Sequence, residues 1–295
     1  MKELIKPKSS IFPPKDWGPL FIAPSAIVLI LIITYPLLYA CYISLFNTNF
    51  VSRWDFVGGS YYRKILGSPD FYRSIGITFK FTFLVVVGHF IVGGILALVL
   101  NDKFPGRTFT RAILLLPWVL PDVSVALIWK WILNPVYGIV NNALMRFGLI
   151  EKSIEWFSNG NLAFISIVFI SIWKGYALIM VLVLAGLQSI PVTLYEAAAI
   201  DGANGIQRFW YITIPALKPI LLSALILDTV WWFKHFTIVW LSTTGGPDGA
   251  TNLISIDIFK QAFEYSRFGE ASAMAVVVFF ICFAIGYFQR KVLEK

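Results

Sequence analysis

Glu196-Ala197-Ala198-Ala199-Ile200-Asp201-Gly202-Ala203, followed by Phe209, Ile212 and Pro215, is a short polar stretch set between two long apolar segments. Its local grammar is helix, turn, helix. Tyr195 to Ile200 is rich in alanine, the strongest helix former. Thr193-x-x-Glu196 has the form of a capping box, in which a hydroxyl and a carboxylate satisfy the free amides of a first turn. Gly202 stands where a left-handed residue commonly ends a helix. A second helical stretch from about Ile206 leads to Pro215, at the mouth of the next apolar segment. Such a stretch is either an ordinary loop helix lying on a membrane surface or a defined element made for a partner to receive.

Outward from this stretch the chain is strongly apolar. Of 295 residues, 58% are hydrophobic and 14% charged, against about a quarter charged in soluble domains. A helix needs ~20 mainly apolar residues to cross a bilayer. Six windows meet or approach that length, at roughly 19–45, 78–100, 112–133, 162–187, 214–240 and 271–288. Trp and Tyr gather near several of their ends, as in an interfacial belt. The expected class is an all-α polytopic membrane protein with six transmembrane helices. The first window is longer than the apolar core of a secretory signal and lacks a small-residue cleavage pattern, so it reads as an uncleaved span.

The net charge of +8 is spread over connecting segments, without the single basic face that nucleic acid requires. It fits membrane topology instead. With the N-terminus inside, the cytoplasmic segments hold Lys2, Lys6, Lys8, Lys15, Lys103, Arg107, Arg111, Arg208, Lys218, Arg290, Lys291 and Lys295. The outer segments hold Arg53, Arg63, Lys64, Arg73, Arg146, Lys152, Lys260 and Arg267. The bias is greatest in the short segments, where the positive-inside rule acts most strongly. It puts both termini and the Glu196 stretch in the cytoplasm. Cys41 and Cys282 fall in or beside spans and define no disulfide or metal framework.

Between the windows, residues 1–17 form a polar lead. Asn47 to Arg73 is an external loop in which Tyr61-Tyr62-Arg63 suggests a short surface helix, and Asn134 to Gly160 reads as partly helical. Gly88, Gly93 and Gly94 in the second window would let that helix pack closely on a neighbour. There is no phosphate-binding Gly-x-x-x-x-Gly-Lys-Ser/Thr loop in this sequence, and the expected organisation is one membrane domain without an appended soluble domain in which a nucleotide could sit.

With Glu-Ala-Ala, Asp-Gly-Ala, a spaced Phe and Ile212-x-Ile214-Pro215 in place, the stretch at about 188–213 resembles the EAA loop of permease subunits of ATP-binding cassette importers. The resemblance implies a type I importer permease fold with a tail at 1–17, a six-span domain at 18–288 and a cytoplasmic tail at 289–295. It implies that the loop is a coupling helix docking in a cleft of an ATPase subunit, with Glu196, Ala197, Asp201 and Gly202 as its key residues. Implied partners are a second homologous permease, two ATPase subunits that bind ATP-Mg, an extracytoplasmic substrate-binding protein and the bilayer of a prokaryotic cell membrane. The chain itself would carry no cofactor and catalyse no bond chemistry. Leu115-Leu116-Pro117, Trp173-x-Gly175-Tyr176, Leu187-Gln188-Ser189-Ile190-Pro191 and Thr244-Gly245-Gly246-Pro247 further resemble the carbohydrate-uptake branch of that family. Gly245, Gly246, Pro247 and Asp248 are then expected to contact the binding protein, against the simpler reading that they only join two helices.

Charged side chains at membrane depth are costly and usually face a bundle interior or a water-filled cavity. Asp122, Lys174, Asp228 and Lys234 stand out, with His235 as a titratable neighbour. Asp228, Trp231, Trp232 and His235 recur at i, i+3, i+4 and i+7, on one helical face, and Ser171, Lys174, Gly175 and Leu178 repeat the pattern in the preceding span. Together they would line a polar, aromatic-walled path for a sugar. The competing expectation is a structural Lys174–Asp228 ion pair with the tryptophans as packing. Asp122 reads as a helix-bend or packing residue, and Lys234 points away from the Asp228 face. Two further functional alternatives stand: an acidic sugar or phosphorylated polyol as cargo, and an ion-coupled secondary transporter using Asp122 and Asp228.

Overall fold

A computed structural model describes residues 18–293; the 1–17 lead lies outside the described residues. Helix α1 (Gly18–Ile43) leads into a hairpin of β1 (Phe46–Thr48) and β2 (Trp54–Phe56), the one departure from an all-helical chain among the described residues. The aromatic pair Phe46 and Phe56 sits directly opposite in its register. The short surface helix expected near Tyr61 is α2 (Ser60–Leu66).

Helix α3 (Pro69–Asn101) is the longest element, about 50 Å at ~1.5 Å per residue. It begins with a proline in its first turn and with Ser68 Oγ accepting from the Phe71 amide. Its main neighbour is α7 (Gly160–Ser189). Gly88 and Gly93 both abut α7, so the expected close packing is present; Gly94 has open space and takes no part. Between them come α4 (Arg107–Val119), α5 (Asp122–Ile132) and α6 (Ile139–Arg146).

The expected third span is not one helix. Helices α4 and α5 meet at Leu120-Pro121 with a bend of 97°. Pro121 has no amide to donate and disfavours helical backbone at the residue before it; Leu120 is accordingly extended, with φ −62° and ψ 138°. Among the described residues, five helices are long and apolar enough to cross a membrane, six if the bent pair forms one span.

After α7 come α8 (Val192–Ile200), α9 (Gly205–Arg208), a π-helical turn at Phe209–Thr213, and α10 (Ile214–Phe233). Helix α10 also ends earlier than expected: Lys234, His235 and Phe236 interrupt it before α11 (Thr237–Thr243). Helix α12 (Ile254–Phe259), a second π-helical turn (Lys260–Glu264) and α13 (Phe268–Leu293) complete the described residues. Helix α13 runs without a break through position 288, so residues 289–293 continue the last helix. Cys41 and Cys282 are free.

Three apolar clusters organise the interior. One joins the end of α3 (Ala97, Leu100) to the end of α7 (Leu184, Leu187) and the start of α10 (Leu217). A second joins Phe81, Ile167, Ile170, Trp232 and Val239, and a third joins Phe71, Phe233, Ile254 and Met274. Helix α1 lies against α13 and buries almost none of its apolar surface within the chain. Such an all-round apolar, unburied helix is suited to lipid or to a partner helix.

Candidate functional site

Most residues of the expected polar path line a cavity of about 350 Å³. Trp118 and Asp122 reach it from the broken span, Lys174, Gly175 and Leu178 from α7, and Asp228, Trp231, Trp232 and His235 from α10 and the break after it. Ser171 is the one predicted pathway residue that does not line it. Its side chain is fully buried, and its carbonyl serves instead as an acceptor in the wall.

The Lys174–Asp228 ion pair is not formed. Lys174 Nζ donates to the Trp118 carbonyl at 2.7 Å and lies 3.5 Å from Asp122 Oδ1. The break creates this arrangement: in a continuous helix the Trp118 carbonyl would accept from the amide four residues on, and the extended backbone at Leu120 removes that partner. The ammonium takes its place at the C-terminal, electronegative end of α4, while Asp122 opens α5 where the dipole favours an anion. Asp122 is thus at the bend, as expected, and is also the counter-charge of Lys174.

Asp228 is paired with His89, which the sequence reading left without a role. Asp228 Oδ2 lies 2.8 Å from His89 Nδ1, and His89 Nε2 lies 3.0 Å from the Ser171 carbonyl. A carbonyl can only accept, so Nε2 carries its proton. The Nδ1–Oδ2 contact then holds a single shared proton, and the pair is electrically neutral as a unit. Both groups are essentially inaccessible, with side chains 0% and 2% exposed. The pair ties α3, α7 and α10 together at one level.

Gly175 provides the room for this tie. A β-carbon there would run into the His89 ring and come within 2.9 Å of Trp232. Trp232, 3% exposed, packs edge-on to His89 and 4.4 Å from the His235 ring. Trp231 is 61% exposed and carries Lys234 over its ring at 5.7 Å. Both tryptophans line the cavity, but they differ in burial: Trp232 is packed into the wall, and Trp231 is largely exposed.

The Glu196 stretch has the opposite character. No side chain of α8 is buried, and Glu196, Ala197, Asp201 and Gly202 are all exposed. Val192, Ile200 and Ile206 are exposed apolar side chains. The helix is not started by Thr193. It begins one residue earlier, after Pro191, with no side-chain cap. The capping box of this region is the next one along: Asn204 Oδ1 accepts from the Gln207 amide at 2.9 Å and Gln207 Oε1 from the Asn204 amide at 2.8 Å. Gly202 has φ +82°. The Ala203 amide donates to Ala198 and the Gly202 amide to Ala199, which is the paired closure that a left-handed residue after a helix permits. One tether to the body is Tyr195 Oη, 2.8 Å from Thr213 Oγ1.

The Gly245–Gly249 loop lies at the other end of the helices. Arg73, at the start of α3, donates to the Asp248 carbonyl at 2.8 Å, while Ala97 near the end of α3 packs with Leu187 and Leu217. Arg73 and Ala97 are roughly 36 Å apart along a straight helix. Of the four residues expected to meet a partner, Asp248 is exposed, Gly246 and Pro247 are half-buried, and Gly245 is buried against Asn252 and Ile256. A second cavity of about 400 Å³ adjoins this loop, lined among others by Arg73, Asp257, Lys260, Arg267 and Glu270. Lys64 and Glu270 form an ion pair of 2.7 Å there, and Asp257 accepts from Ser74 and Asn252. Nothing in the sequence pattern marked this cavity, because its charges come from segments far apart in the chain.

Comparison with known proteins accords with this architecture. The chain is 38% identical over 262 residues to the sulfoquinovosyl glycerol transport system permease protein SmoG of Agrobacterium fabrum, covering 88% of this chain and 84% of the relative. It is 37% identical over 276 residues to the trehalose/maltose transport system permease protein MalF of Thermococcus litoralis, covering 93% and 92%. In fold it is similar to a chain of a bacterial ABC transporter involved in the import of the acidic polysaccharide alginate, with a TM-score of 0.80, 24% identity and coverage of 95% and 96%. Residues 89–295 match the model of one family. The chain belongs to the family of binding-protein-dependent transport system inner membrane components.

Proposed function

We propose that this chain is a permease subunit of an ATP-driven importer for sugars or oligosaccharides, forming half of the translocation pathway in a prokaryotic cell membrane. The observation that carries the reading is the cavity between α4/α5, α7 and α10, whose tryptophans suit the C–H faces of sugar rings and whose polar groups suit hydroxyls. The similarity to permeases named for trehalose/maltose and for sulfoquinovosyl glycerol supports the carbohydrate assignment. Family membership favours a binding-protein-dependent system over an ion-coupled carrier.

The exposed α8, with Glu196, Ala197, Asp201 and Gly202, is the coupling element. It is received by one of two ATPase subunits that bind ATP-Mg. Closure of the ATPase pair draws α8 with it, and α7 and α10, which flank the loop, carry the movement to the cavity wall. A second permease completes the pathway, and an extracytoplasmic binding protein delivers cargo near Asp248. The Glu196 loop and both chain termini are cytoplasmic in this arrangement. The test is accumulation of labelled oligosaccharides in proteoliposomes holding all subunits. Accumulation should require both ATP on the ATPase side and the binding protein on the other. Uptake that persists without ATPase subunits and follows a proton or sodium gradient would overturn the proposal.

A further inference from the structure

We infer that the half of the pathway built by this chain passes an uncharged, hydroxyl-rich solute, and that His235 reads one of its hydroxyls. The inference rests on the sugar-import reading and narrows it.

The first ground is charge. Each formal charge in the lining has its counter-charge within the wall: Lys174 has Asp122 at 3.5 Å and the Trp118 carbonyl at 2.7 Å, and Asp228 has His89 at 2.8 Å. Lys234, the neighbouring cation, is exposed over the Trp231 ring and does not line the cavity. A carboxylate, sulfonate or phosphate on the cargo would give up water and find no free cation in this wall. A buried charge without a partner is strongly disfavoured. An ammonium would meet the same wall without a free carboxylate.

The second ground is the imidazole. His235 is 6% exposed, lines the cavity, and has its Nε2 buried without a hydrogen-bond partner. Its backbone is held on both sides: the amide donates to Trp232 at 3.2 Å and the carbonyl accepts from Ser255 Oγ at 2.6 Å. The ring is packed against Trp232 at 4.4 Å between centroids. A buried polar atom is normally satisfied. A sugar hydroxyl both donates and accepts, so it can satisfy either tautomer of a neutral imidazole. A site made to bond a hydroxyl also discriminates well against solutes that lack it. Trp231, largely exposed beside this position, offers the apolar face against which a ring can lie.

The experiment uses the complete importer in proteoliposomes, with glucose-, galactose- and mannose-based di- and trisaccharides, each offered beside its uronate counterpart. A neutral sugar should accumulate, and its uronate at least roughly tenfold more slowly, because the wall leaves a carboxylate uncompensated. Equal or preferential uptake of a uronate would overturn the inference while leaving sugar import standing. Accumulation of no sugar in either arm would overturn the sugar reading beneath it. On the transported neutral sugar, His235→Leu should lower the maximal rate at saturating loaded binding protein by roughly five- to tenfold, the worth of about one hydrogen bond. His235→Gln, which keeps a donor and an acceptor, should recover most of that loss. An unimpaired His235→Leu, or a His235→Gln complex that assembles yet is as slow as His235→Leu, would remove His235 from the role.

Discussion

The cavity wall and the α8 loop are built on opposite plans. In the wall, polar groups from distant parts of the chain satisfy one another: His89 with Asp228 and the Ser171 carbonyl, Lys174 with Asp122 and the Trp118 carbonyl. In the loop, almost every hydrogen bond is local, from the Asn204–Gln207 cap to the closure at Gly202, and the side chains are left facing outward. A wall made of long-range pairs holds its shape only while the helices keep their places. A loop made of local bonds keeps its shape while it moves as a unit. This is the division of labour expected when one part must be remodelled by the displacement of another.

The largest effect should come from breaking the wall. His89→Leu leaves the Asp228 carboxylate buried and unpaired, and should destabilise the assembled protein by about 3–5 kcal/mol. Replacing both groups by leucine should restore assembly, as judged by thermal melting of the detergent-solubilised complex, though not transport. A double variant no more stable than His89→Leu would show that the pairing is not what the wall depends on. Next, Gly175→Val should push against His89 and Trp232, costing ~1–3 kcal/mol by overpacking and lowering uptake. A melting temperature and uptake rate like those of the parent would mean that the close approach is easily relieved.

The loop should respond less in stability and more in coupling. Gly202→Val places a side chain in left-handed backbone, where roughly 1–2 kcal/mol of strain is expected, but a β-carbon there meets nothing within 4 Å. The permease should therefore insert and melt nearly normally while ATP hydrolysis no longer drives uptake. Parent-like uptake by this variant would detach the turn from coupling.

What was legible in the sequence follows the same division. Features set by neighbours in the chain were readable: the apolar spans, the left-handed Gly202, the short helix at Tyr61, and the contact of Gly88 and Gly93 with another helix. Thr193 misled because it carries the right spacing to Glu196, yet the helix already begins at Val192 behind Pro191. The Asn204-x-x-Gln207 signature was equally visible and is the one used. Hydropathy is a sum over a window and cannot register a 97° bend, although Pro121 beside Asp122 was its signal. Helical periodicity put Lys174 and Asp228 on cavity-facing sides correctly but could not name their partners. The partner of Asp228 is 139 residues away in the chain, and no local pattern encodes that.

The most direct test of the contrast is a cross-link. In a Cys41- and Cys282-free complex, a single cysteine at Ala197 should cross-link to the ATPase subunit through a short bifunctional maleimide, with a yield that changes when ATP is added. A cysteine at Asp248 in the same complex should cross-link to the binding protein and not to the ATPase. An ATPase adduct formed at Asp248, with none at Ala197, would contradict the assignment of α8 as the coupling element.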